Sequence, residues 1–144
     1  MHMVLGSVGI LAFIASGQYM DLRLDHLRGM ADAPRLLFRS AHIYLLLSAL
    51  LNLVLGIYFR PARTALRRGA QSVGSALIAA GPPLFVTAFI SEPWLQGLAR
   101  PYGRAATYTT FAGALLHLAG TSGSRALRGA VRPGDATDGA TPSS

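Results

Sequence analysis

The 144-residue sequence has no cysteine and no lysine, one tryptophan, one glutamate and six acidic residues in all. Without cysteine there are no disulfides, no thiolate metal sites and no thiol nucleophile. Charge of either sign is scarce: 13% of residues are charged, against roughly a quarter in a soluble domain. The charges are also bunched, so that residues 1–20, 40–59, 69–91 and 105–124 carry none. Each window is close to the ~20 residues that cross a hydrocarbon core about 30 Å thick. A single water-soluble domain is not what such a pattern builds.

What is present fits that reading. The net charge of +7 would suit a nucleic-acid binder, but the arginines sit at the edges of the apolar windows. Arg35, Arg39, Arg60, Arg63, Arg67, Arg68, Arg100, Arg104 and Arg125 stand where flanking cations meet lipid phosphates. The expected partners are therefore the lipid bilayer and another membrane protein or a second copy, with no nucleic acid. The first window lacks a basic leader and an Ala-x-Ala site, so it is read as an uncleaved span.

The predicted fold is all-α: a bundle of four transmembrane helices over about 3–20, 35–58, 69–91 and 105–120, with short loops. It forms one domain over 1–120, followed by a Gly-, Ser-, Thr- and Pro-rich basic tail, 121–144, predicted to be disordered. Small residues at four-residue spacing, Ala12 and Ser16 in the first span and Ser72, Ala76 and Ala80 in the third, mark expected helix contacts. Leu24, Leu27 and Met30 predict a short interfacial helix in the first loop, and Asp32 with Pro34 reads as the start of the second span. Pro82 and Pro83 remove two amide donors in the third span and predict a kink or hinge.

The second span is polar on two sides. Arg35, Arg39 and His42 fall within about 60° of one face, a pattern suited to an anion or a lipid headgroup. Tyr44, Ser48 and Asn52 line the other face, where Ser48 and Asn52 read as interhelical glue. The countercharges expected for Arg39 are Asp21 and Asp25. His42 and His117 raise the possibility of a bis-imidazole haem, with His26 as an alternative partner. Their depths, about 10 Å and about 20 Å below the same edge at 1.5 Å per residue, argue against the simplest version, so no cofactor is expected. Asp21, Asp25 and His26 are too weak a set to predict a metal.

No Gly-rich phosphate loop, His-Glu-x-x-His or Gly-x-Ser-x-Gly occurs, and Ser40 and His42 point to different faces, so no catalytic residue is predicted. Four spans in so short a chain resemble the layout of the small multidrug resistance exporters. Those depend on a membrane-embedded carboxylate, and the four windows hold neither Asp nor Glu, so the resemblance is set aside. The leading expectation is a non-enzymatic accessory or interaction subunit. A haem- or quinone-binding redox component and a small transporter or channel are the alternatives. Arginine counts on the two sides nearly balance. The acids of the first loop offset its arginines, which favours both termini in the cytoplasm of a bacterial plasma (inner) membrane.

Overall fold

The structure, a computed structural model, describes residues 1–121; the tail after Thr121, expected to be disordered, lies outside the described residues. Those described are mostly helical, with no strand among them. The helices are α1 (His2–Leu22), α2 (Asp32–Tyr58), α3 (Ala65–Ala79), α4 (Gly81–Ser91) and α5 (Pro101–Thr121). Three segments are long and apolar enough to cross a membrane: α1, α2, and α3 with α4 taken as one helix, Ala65–Trp94. The fourth predicted span, α5, matches α1 in length at 21 residues. Its four threonines and two tyrosines leave it less apolar than the other three.

The helices overrun the charge-free windows because arginine is a good helix former whose stem packs while its head reaches water. α2 starts at Asp32 itself, with Ala31 in the capping position, one residue earlier than Asp32 as a cap requires. Asp32 and Arg35, three residues apart, form an ion pair across this first turn.

α1 lies along α2, α4 packs between α2 and α5, and α3 runs against α5. The closest approaches need glycine. A Cβ on Gly74 would sit 2.6 Å from the Gly113 carbonyl oxygen and 2.7 Å from the His117 amide nitrogen. The seam between α3 and α5 therefore runs through Gln71, Gly74, Ser75 and Ile78, all buried. Ser72 and Ala76, expected on that seam, are exposed instead. Backbone contact at Gly74 decides the rotation of the helix, and it is one to two residues out of phase with the four-residue pattern. On α1 the contact with α2 passes through Gly9, where a Cβ would lie 2.7 Å from that of Ala49, while Ser16 is spent on a hydrogen bond.

The first loop is not the regular helix its periodicity suggests. Asp25, His26 and Leu27 have φ of 43°, 55° and 65°, a left-handed turn that costs an L-residue roughly 1–2 kcal/mol per position. The Leu27 amide donates to the Leu24 carbonyl at 2.7 Å, and the Arg28 amide to Asp25 at 3.0 Å. The turn's compensation is burial. Leu27 enters a cluster with Phe38, Ala41, Ala88 and Phe89, and Leu24, Met30 and Met20 pack around it. All three residues of the period do reach one apolar surface, by a turn of opposite hand.

Gly74→Ala should lower the melting temperature of the detergent-purified protein, since overpacking against backbone costs about 1–3 kcal/mol. Gly69→Ala, in the same helix but with nothing within 4 Å of its Cβ, should hold or raise it by up to about 1 kcal/mol through helix propensity. Equal effects would refute the glycine seam.

Candidate functional site

The junction between α3 and α4 is where the chain's chemistry converges. Pro82 and Pro83 cannot donate to the carbonyls of Ile78 and Ala79, their partners four residues back. The backbone is otherwise intact: Ala80 keeps helical angles, and the amides of Ala80 and Leu84 bond at 3.1 and 3.3 Å to the carbonyls of Ala76 and Ala80. The Ile78 carbonyl finds its replacement donor on another helix. Asn52 Nδ2 donates to it at 3.2 Å and to the Ser48 carbonyl at 2.9 Å. With both amide hydrogens used, Asn52 Oδ1 accepts from His2 Nδ1 at 2.8 Å. That assignment leaves His2 Nε2, buried and without a partner, as the bare nitrogen of the ring.

Beside this chain lie the hydroxyls of Ser48 and Thr110, both shielded from solvent and without a partner. They close on the space a Gly81 side chain would fill. His2 is invisible to sequence reasoning, because a terminal histidine next to a methionine carries no spacing signal. Only the antiparallel course of α1 and α2 brings it to a residue 50 positions away.

His117 faces the same end of the bundle. Its Nδ1 lies 3.3 Å from Ser75 Oγ on α3, and its ring is 5.7 Å from that of Phe59. Next to it a cavity of about 270 Å³ is lined by Met1, His2, Phe59, Ser72, Ser75 and Ala76.

The predicted polar face of α2 is divided. Arg35 is held by Asp32 and Arg39 is exposed. His42 turns to α1, stacked 4.1 Å from Phe13. Its Nδ1 is 2.8 Å from Ser16 Oγ. Ser16 gives its own hydrogen to the Phe13 carbonyl at 2.8 Å, so His42 donates from Nδ1. The three residues therefore do not meet around one opening. Nor does Arg39 take the countercharges expected for it: Asp21 lies 2.6 Å from His26 Nδ1, and Asp25 belongs to the left-handed turn. Asp21 itself is still in the last turn of α1.

His42 and His117 bond to serines of different helices. They lie about 15 Å and about 24 Å from the starts of α2 and α5, counting 1.5 Å per residue. A second cavity, about 240 Å³ and lined by Tyr19, Phe38, Phe89, Ile90 and Trp94, holds no histidine. No cluster of three or more metal-ligating side chains occurs among the described residues.

One residue that sequence reasoning passed over is Glu92. It follows α4 in a short turn and is 1% exposed. Its Oε1 accepts the Gly103 amide at 2.6 Å. Gly103 is the third residue of α5, so Glu92 occupies one of the orphan donors of that helix where negative charge is favoured. Pro101 at the first helical position has no donor to satisfy. The Arg100 guanidinium lies over the Tyr44 ring, 5.9 Å from its centroid. The signal in the sequence was that Glu92 is the only glutamate.

Comparison with protein-family models, with curated proteins and with solved structures finds no match. What the arrangement does chemically is cross-link α1 to α2, α2 to α3 and α3 to α5 through polar side chains in an apolar interior.

If Asn52 replaces the donor that Pro82 removes, Asn52→Leu should cost about 1–3 kcal/mol by leaving the Ile78 carbonyl unpaired. Pro82→Ala restores an amide and should recover part of that loss, so the double variant should be more stable than the sum of the singles. Additive melting-temperature changes would rule the replacement out. At the other end, Glu92→Ala should destabilise the protein by about 1 kcal/mol or more, while Glu92→Gln, which keeps an acceptor, should retain most of the stability.

Proposed function

We propose that this is a small multi-pass membrane protein that spans the bilayer four times, α5 included, and serves as a non-enzymatic accessory or interaction subunit. One observation carries the reading. Most interior polar groups are used between elements of the bundle, with Ser48 Oγ, Thr110 Oγ1 and His2 Nε2 left over: His2 and Ser16 of α1 with Asn52 and His42 of α2, Asn52 with the α3 carbonyl, Ser75 with His117 of α5, and Glu92 with the α5 amide. An enzyme or carrier needs such groups turned towards a substrate. Both cavities fall below the roughly 300–1,000 Å³ of ordinary ligand sites. What the bundle offers outward is an apolar surface, including Tyr108, Phe111, Leu115 and Leu118 along one face of α5.

A redox reading keeps one specific support. His42 donates from Nδ1 to Ser16, the second-shell arrangement that frees Nε2 for a ligand. The discriminating experiment is an absorption spectrum of the purified protein, produced with haem supplied, oxidised and then reduced with dithionite. The expected spectrum is featureless, and His42→Ala and His117→Ala lower only abundance and melting temperature. A Soret band lost in His42→Ala would overturn the accessory reading. Because the chain has no cysteine of its own, Leu115→Cys gives a clean cross-linking probe. A discrete cross-linked species in native membranes is expected; none at any position of the α5 face would count against a partner there.

A further inference from the structure

The polar groups at the α2–α3 end are built for a different purpose from those inside. Gln71 is 1% exposed, and both ends of its amide are spent on the connecting loop. Its Oε1 accepts the Ala62 amide at 2.7 Å, and its Nε2 donates to the Arg60 carbonyl at 3.1 Å. Arg68 Nε adds a bond to the Ala62 carbonyl at 3.3 Å, and Ala62 is buried beneath the loop. A buried glutamine is expensive unless fully bonded, and here its bonds do nothing except fix the course of residues 60–62. On that fixed loop and the first turn of α3 stand Arg60, Arg63, Arg67 and Arg68. Arg60, Arg63 and Arg68 are exposed, and among the described residues none of the four has a carboxylate within ion-pair distance.

Acidic charge, among the described residues, is confined to one end of the bundle. The sequence has no acid between Asp32 and Glu92. The four acids among the described residues, Asp21, Asp25, Asp32 and Glu92, all belong to the opposite end. Between the arginines Leu66 is 87% exposed, and Tyr58 and Phe59 are exposed just before them. Apolar side chains interleaved with unpaired cations match an amphiphile, a phosphate next to acyl chains. A free anion would have no use for Leu66.

From this we infer that the α2–α3 loop is a preorganised site for the phosphate headgroup of an anionic phospholipid, shaped by Gln71. The inference rests on the membrane reading above and goes further by requiring selectivity among headgroups. Rigidity is what separates it from a loose positive flank. A loop already ordered by a buried side chain gives up little entropy on binding.

The test uses the full chain in nanodiscs of phosphatidylcholine, doped with phosphatidylglycerol or cardiolipin, with bound lipid counted by native mass spectrometry. Anionic lipid should be retained in preference to phosphatidylcholine. Arg63→Gln with Arg67→Gln, both outside the buried core, should weaken retention by roughly tenfold or more, at about 1 kcal/mol per arginine near the membrane surface. Arg23→Gln with Arg28→Gln removes the same charge from the other end and should change it little. Gln71→Leu keeps all four arginines and should reduce the preference. Equal losses from the two arginine pairs would reduce the effect to overall charge and overturn the site. Inorganic phosphate competing as well as lipid would also overturn it, by showing a free-anion site. A chain that enters nanodiscs with no headgroup preference sinks this inference alone, whereas one that fails to enter sinks the membrane reading beneath it.

Discussion

The carbonyl of Ile78 sets the terms for much of this molecule. In an apolar surrounding an unpaired backbone oxygen costs several kcal/mol, and Pro82 leaves this one without its helical donor. Asn52 must therefore sit at that level of α2, which fixes the register of α2 against α3. Asn52 in turn positions His2, and with it the start of α1. Beyond this point α4 packs between α2 and α5, while α3 keeps its backbone contact with α5 at Gly74 and Gly113. Phe85 and Ala88 then reach the clusters formed by Leu45 and Phe38.

Apolar packing supplies the bulk of the contact but little of the direction. Phe38 makes edge contacts with Phe89 and Trp94 at 5.1 and 5.8 Å, and such contacts tolerate sliding. The hydrogen bonds do not. Each joins one oxygen to one hydrogen, so a helix displaced by a single residue would lose its bond and strand a polar group. Apolar faces hold the helices together, and the polar groups choose which of several similar packings is native.

The helices were legible in the sequence because they follow from local facts: charge-free length and arginine flanks. Ser48 and Asn52 also stood out, since polar residues inside an apolar run need partners. Asn52 has them on two other helices, which was not legible, while the Ser48 hydroxyl has none among the described residues. His2 meets Asn52, and Glu92 meets Gly103, through chain reversals that no spacing encodes. The first loop misled because a three-residue apolar period is satisfied equally by a right-handed helix and by the left-handed turn at Asp25–Leu27. Seen as a one-dimensional pattern, the Arg35, Arg39 and His42 face looked continuous. In three dimensions Asp32 and Ser16 claim two of its three members.

The contact between Glu92 and Gly103 bears on how the chain reaches this state. α5 does not carry its own N-terminal cap: one of its first donors is closed by a side chain that follows α4. Until α4 has been placed, the opening turn of α5 lacks that acceptor and frays. The last helix is thus conditional on the one before it: its first turn is complete only where α4 holds Glu92 against Gly103.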